Sequence, residues 1–360
     1  MTNRLLVTGG AGFVGSNLAV GLAGRHPDWD VLALDNLYRR GSELNLPRLE
    51  RAGVEFVRGD VRDRSVLTAL PTIDTIVECS AEPSVVSGVD GDAAYMVQTN
   101  LMGAFNCLEL AKRDGAGMVF LSTSRVYPVG ALSSVGYEET ATRFELAAEQ
   151  AIPGVSSVGI SEAFPIQGMR TLYGATKLAA ELLIEEYRET FGIDAVVNRC
   201  GVIAGPWQMG KVDQGVFTFW LLSHHFEQPL SYIGYGGGGR QVRDLLHVKD
   251  LLDLVEEQLL DPERWTGLTV NVGGGLGRSL SLVEATGICV ELTGKEVPIA
   301  AVADTREGDV PIYVSDCSLL FGHTSWRPQL SPQEVLRDIH EWVVVNQDAL
   351  HEALGIGSSA

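Results

Sequence analysis

No cluster of lysine and arginine occurs anywhere in the 360 residues, and acidic side chains outnumber basic ones by 46 to 27, for a net charge of −19. A surface of that sign repels nucleic-acid backbones and anionic membranes, so neither is an expected partner. The five cysteines (Cys79, Cys107, Cys200, Cys289, Cys317) are odd in number, scattered, and form no CxxC. That argues for apolar filler in a reducing compartment rather than disulfides or zinc ligands. No apolar run is long enough to span a bilayer. The N-terminus enters a strand and glycine turn without the pattern of a signal peptide, so the expected location is the cytoplasm. The seven histidines include no HxxxH or HxH pair, and the adjacent His224 and His225 point to opposite sides of a helix as surface or packing residues, so no metal centre is expected. A GxSxG elbow, a Walker loop, internal repeats and low-complexity segments are also absent.

What is present is an alternation of short apolar runs with helical patterns. Arg4 to Thr8 reads as a buried strand, and Gly9-Gly10-Ala11-Gly12-Phe13-Val14-Gly15 follows as a glycine turn entering a helix. Glycines here let a backbone approach a pyrophosphate, and the helix N-terminus offers N–H donors to it. A second apolar run, Val31 to Leu34, ends in Asp35, 20 residues after Gly15. An acid at that point accepts from the adenosine ribose hydroxyls and repels a 2′-phosphate, favouring NAD over NADP, although Arg39 and Arg40 lie close by. Further strands are expected at Val54–Val57, Thr75–Glu78, Met118–Thr123, Ala195–Arg199 and Thr269–Val272, the signature of a Rossmann-type doubly wound parallel sheet. Asp60 and Val61 fall at a strand end, where they read either an adenine edge or a plain helix cap.

The candidate chemistry lies at Tyr173-Gly174-Ala175-Thr176-Lys177, which opens an apolar helical run. Residues four apart share a helix face, so the phenol and the ammonium can point into one cleft. A free phenol titrates near ~10, and lowering it by roughly three units takes about 4 kcal/mol of preferential phenolate stabilisation. An ammonium can contribute to that and make Tyr173 a general base. An exposed ion-pairing helix face is the plainer reading of the same spacing. Ser122, Thr123 and Ser124 end the central strand, either as cleft-facing hydroxyls or as strand-end caps. Residues 128–170 show little periodicity and lead into Tyr173, as a substrate-pocket or subunit-contact segment does. Beyond Arg199, glycine, aromatic and amide residues suit a smaller ligand-facing lobe. Within it Arg243-Asp244-Leu245-Leu246-His247-Val248 introduces a helix, and Arg243 and Arg306 are candidate phosphate clamps or surface ion pairs. The expected division is a nucleotide domain of residues 1–200 and 240–272, a C-terminal substrate-binding lobe of 201–239 and 273–348, and a flexible tail of 349–360.

Taken together, the glycine turn, Asp35-Asn36-Leu37, Gly59-Asp60-Val61, Asn100-Leu101-Met102-Gly103, the Thr123 strand end, Tyr173 to Lys177, and Arg243-Asp244 with His247-Val248-Lys249-Asp250 resemble the extended short-chain dehydrogenase/reductase superfamily. Arg199 to Gly215, Leu230 to Gly234, and Ser161-Glu162 with Leu172 to Lys177 are similar, within it, to epimerases acting at C2 of CDP-linked dideoxyhexoses; a UDP-sugar 4-epimerase, or an epimerase of another nucleotide or nucleoside, would keep the same catalytic residues. The resemblance implies an NAD-dependent enzyme with Thr123, Tyr173 and Lys177 as the catalytic set, Lys177 also bonding the nicotinamide ribose. It implies Gly9, Gly12, Phe13, Val14, Asp35, Asn36, Asp60 and Val61 around the cofactor, and Ser124, Gln208, Gln214, Arg243 and Arg306 around a nucleotide-sugar substrate. It further implies a homodimer formed through helices near Leu101–Lys112 and Leu178–Tyr187, whose apolar faces serve equally well as intramolecular core. Ser124 and Arg125 stand where dehydrating relatives carry an Asp-Glu pair, which disfavours dehydration. Glu78 stands where many relatives have His, and Pro128 where Gly is usual; neither is expected to touch the proton-transfer set.

Overall fold

The computed structural model describes residues 3–84, 93–210 and 215–354. Along the chain the elements that matter here are β1 (Arg4–Thr8), α1 (Phe13–Arg25), β2 (Asp30–Asp35), β3 (Glu55–Arg58), β4 (Thr75–Glu78), α2 (Gly103–Asp114), β5 (Gly117–Thr123), α3 (Leu172–Phe191) and β6 (Ala195–Cys200). They are followed by β7 (Val202–Ala204), α4 (Val216–His225), β8 (Val242–His247), α5 (Val248–Leu260), β9 (Thr269–Val272), β10 (Ser279–Ser281), α6 (Leu282–Thr293), β11 (Ile312–Tyr313), α7 (Pro332–Val345) and α8 (Gln347–Leu354). The chain packs as two compact units, one of residues 1–123, 172–199 and 251–269, the other of 124–171, 200–250 and 270–360. This division puts residues 124–171 with the second unit.

The first unit is built on a sheet of seven strands in the order β9-β6-β5-β4-β1-β2-β3. The pairs from β3 through β2, β1 and β4 to β5 are parallel. Strands covered on both faces need apolar side chains on both, and Leu5, Leu6, Val7, Ile76 and Val77 are all fully buried. The order reverses between β1 and β4, with Thr8 in register with Glu78 at their carboxyl ends. Ligands of open α/β sheets sit at such a reversal. On one face α2 and α3 enclose a core of Ala104, Cys107, Leu108, Phe120, Ala180 and Ile184. On α1, Gly21 leaves room for Leu252, and Arg25 and His26 bond Asp253 and Glu256 on α5.

The second unit holds a four-stranded sheet of β7, β8, β10 and β11. Its core gathers Phe217, Trp220 and Leu221 of α4 with Val335, Ile339 and Trp342 of α7. The stretch Val242–His247, read above as leading into a helix, is itself a strand, with the helix starting at Val248. Gln347–Leu354 is helical with Leu350 fully buried. Residues 128–170 carry a short helix, Val129–Ser133, and two small hairpins, Tyr137–Glu139 with Phe144–Leu146 and Val155–Ser156 with Gly159–Ile160. His224 is buried and packs with Nδ1 3.0 Å from the Lys295 carbonyl oxygen, while His225 is half-buried beside His340. The five cysteines are free thiols and all but Cys79 are buried, as filler. Among the described residues no group of His, Cys, Asp or Glu is placed to hold a metal, and no helix is long and apolar enough to cross a membrane.

Candidate active site

The glycine turn after β1 is shaped by what cannot fit in it. A Cβ on Gly15 would lie 2.2 Å from the Gly9 carbonyl oxygen, and one on Gly9, whose φ is +62°, 2.9 Å from the Cys79 carbonyl oxygen. The turn closes through the Gly12 N–H donating to the Gly9 carbonyl at 2.9 Å. No side chain caps α1 and no acid occupies its first turn, so nothing on the helix competes with an anion for its first N–H groups. A latch absent from the sequence reading holds this turn from outside. Asn45 Nδ2 donates to the Ala11 carbonyl at 2.9 Å, and Arg48 donates to Ser16 Oγ at 3.2 Å and Asn17 Oδ1 at 2.9 Å. Burial pushes the Arg48 guanidinium down to about 10.

Asp35 ends β2 with its carboxylate already oriented, Oδ2 accepting from the Ala11 N–H at 3.1 Å and Oδ1 from the Leu37 N–H at 2.7 Å. Burial pushes this carboxyl up against the pull of those amides. Asn36 Nδ2 donates to Asp60 Oδ2 at 2.8 Å, which joins the ends of β2 and β3. Burial opposes ionisation of Asp60, but Arg62 and Asn36 outweigh it and hold the carboxyl down at about 2. The helix cap that Asp60 could have supplied is supplied by Asp63, which accepts from the Ser65 N–H at 2.8 Å. The uncrowded helix start, the glycine cradle and the prepositioned Asp35 suit a dinucleotide, whose diphosphate Gly9 to Val14 would hold and whose adenosine ribose Asp35 would bind.

The proton-transfer candidates belong to the same unit. Thr123, nearly buried, ends β5, and α3 carries Tyr173 in its first turn and Lys177 one turn on. Asn100 lies in a wide π-turn at Gln98–Met102 that leads into α2. It donates to Thr176 Oγ1 at 3.2 Å, and Thr176 donates to the Tyr173 carbonyl at 2.8 Å, which ties the start of α3 to α2. Lys177 is 1% exposed; its Nζ lies 3.3 Å from Glu78 Oε2 and 3.9 Å from the centre of the Phe120 ring. The expectation that Glu78 leaves the proton-transfer set alone is therefore overturned. The two residues are 99 apart in sequence and are brought together at the end of β4. Deeper on α3, Glu181 accepts from Arg199 Nη2 at 2.7 Å and from Ser122 Oγ.

The remaining candidates lie in the second unit. Ser124 is half-buried and begins a 3₁₀ turn that continues through Arg125, whose Nη1 donates to the Gly308 carbonyl at 2.9 Å. Arg243 donates to Asp309 Oδ1 and to the carbonyls of Val310 and Val242, each at 2.7 Å, so its guanidinium is held inside the unit. Arg306 is exposed. Gln208 is buried, donating to the Ile203 carbonyl at 3.0 Å and accepting from Thr218, which makes it a brace between β7 and α4. Gln214 lies outside the described residues. Pro128 caps the Val129–Ser133 helix and packs on Gly168, so the missing N–H is not needed there.

The chain is similar to known proteins in both sequence and structure. A family described as the NAD dependent epimerase/dehydratase family matches residues 5–273. The chain is 28% identical to CDP-paratose 2-epimerase of Salmonella typhi, over 94% of this chain and 98% of that protein. Epimerase Mth375 of Methanothermobacter thermautotrophicus superposes with a TM-score of 0.79 at 26% identity, covering 98% of this chain and 95% of the other. DesIV of Streptomyces venezuelae, a dTDP-glucose 4,6-dehydratase solved with NAD and TYD bound, superposes with a TM-score of 0.75 at 29% identity, covering 97% and 99%. A glycine-turn sheet whose fifth strand and following helix carry Thr123, Tyr173 and Lys177, matched over most of its length, is that of an NAD-using enzyme, and the chain belongs to the NAD dependent epimerase/dehydratase family.

Proposed function

We propose that this enzyme epimerises one carbon of a nucleotide-linked sugar, by transient oxidation to a ketone and re-reduction on the opposite face, with C2 of a CDP-linked dideoxyhexose as the substrate centre. The observation that carries the reading is the combination of Tyr173 and Lys177 on one face of α3 with a strand end that runs Thr123-Ser124-Arg125. Tyr173, as phenolate, takes the proton of the ring hydroxyl, and the Thr123 hydroxyl donates to the same oxygen. Lys177 favours the phenolate through its charge. Bound NAD supplies reversible hydride acceptance, with no net redox change over a cycle. Because Ser124 and Arg125 offer no acid and base beside Thr123, loss of water is disfavoured. Similarity to the Salmonella typhi 2-epimerase supports the C2 assignment.

On this reading the first unit holds NAD, the second supplies the substrate lobe, and Arg306 rather than Arg243 has its guanidinium available for a phosphate. We also propose a homodimer through α2 and α3, where Leu182 and Phe191 are exposed. The deciding experiment incubates purified protein, without added cofactor, with CDP-, UDP-, GDP- and ADP-sugars and follows ring protons by NMR. Conversion of a CDP-sugar to its C2 epimer is expected. Turnover of another nucleotide sugar alone removes the substrate assignment, and exchange of a deuterium label at the reacting carbon with solvent removes direct hydride return.

A further inference from the structure

Glu78 is the last residue of β4, at the point where the strand order reverses, and it is 1% exposed. A buried carboxylate is costly unless a charge answers it, and an apolar side chain of similar volume packs such a place more readily. Here the answering charge is the Lys177 ammonium, 3.3 Å away and itself shielded from solvent by Phe120. The other oxygen of Glu78, Oε1, makes no hydrogen bond with the described residues; burial pushes the carboxyl up, and the Lys177 ammonium and the Ser80 N–H pull against it.

We infer that Glu78 is a positioning residue that fixes the Lys177 ammonium and, by partly compensating its charge, sets how readily Tyr173 ionises. The inference rests on the assignment of Tyr173 as base and Lys177 as its partner. An ammonium lowers a neighbouring phenol, and a carboxylate on that ammonium weakens the effect. The other titratable groups facing this pair do not do the same. Cys107, from α2, is a thiol that burial pushes well above its usual range, so it stays neutral. Glu181, one turn further along α3, has its charge matched by Arg199. Asn100 and Thr176 are uncharged.

The test titrates Tyr173 directly, by tyrosinate ultraviolet absorbance, as the difference between each NAD-saturated protein and the same protein carrying Tyr173→Phe. In Glu78→Gln, which keeps an acceptor for the ammonium and removes the charge, the Tyr173 midpoint should fall by about one pH unit. An unchanged midpoint in folded Glu78→Gln overturns the inference. Should that variant not fold, the double variant Glu78→Gln/Lys177→Met leaves no lone buried charge. Its midpoint should rise by well under one unit, because the ammonium and the carboxylate that partly offsets it leave together. A rise of about one unit in the double variant means Lys177 acts unopposed and overturns the inference. No substrate enters this titration, so failure of the sugar panel and failure of this proposal read out separately.

Discussion

At the scale of single residues, the proposed chemistry rests on Thr123, Tyr173 and Lys177. Tyr173→Phe deletes the acid-base group and should lower kcat by about 10²–10⁴-fold with NAD content and melting temperature unchanged, as cofactor absorbance and calorimetry would check. A second residue-scale expectation concerns Asp60, which is held at about 2 in the folded protein against ~3.9 in an unfolded chain. A depressed carboxyl contributes stability that is fully present above the unfolded value and lost as pH falls through the folded one. The melting temperature of Asp60→Asn should therefore lie below that of the parent at pH above about 4, and the gap should close as pH falls to about 2. The spacing of Tyr173 and Lys177 was legible in the sequence because one helix sets it. The Glu78 contact was not, because it joins the ends of two elements 99 residues apart.

At the scale of elements, α3 is seated on the sheet by the buried group of Glu181, Arg199 and Ser122. Glu181→Gln removes the carboxylate that answers the buried Arg199 guanidinium and should cost about 3–5 kcal/mol, seen as a lower denaturation midpoint, whereas joint replacement of Glu181 and Arg199 by apolar residues should cost much less. The strands Arg4–Thr8, Thr75–Glu78 and Thr269–Val272 could be read to the residue, since a parallel strand covered on both faces is a short unbroken apolar run. Val242–His247 could not, because Arg243 and Asp244 interrupt its apolar pattern. Arg243 is tolerated in the strand by Asp309 and two carbonyls, and Asp244 by the Gly275 N–H at 3.1 Å. The hairpins inside residues 128–170 are two or three residues a strand, too short for any periodicity to show.

At the scale of the molecule, the net charge of −19 opposes an anionic nucleotide sugar at long range. Raising salt from about 0.01 M to about 0.15 M shortens the Debye length from about 30 Å to about 8 Å, so kcat/KM should rise with added salt rather than fall. Scattering of the intact protein tests the proposed dimer: Leu182→Glu should shift the mass toward that of one chain, and no shift removes α3 from the interface. The sequence by itself determined the parallel sheet, the glycine turn and the order of Thr123, Tyr173 and Lys177, because each rests on a local pattern: a short apolar run, a helical period of 3.6 or a tight turn. Only the tertiary structure decided which charges answer one another. Glu78 on Lys177, Arg243 on Asp309, and the Asn45 and Arg48 latch on the glycine turn depend on where distant elements come to rest, and no local spacing encodes that.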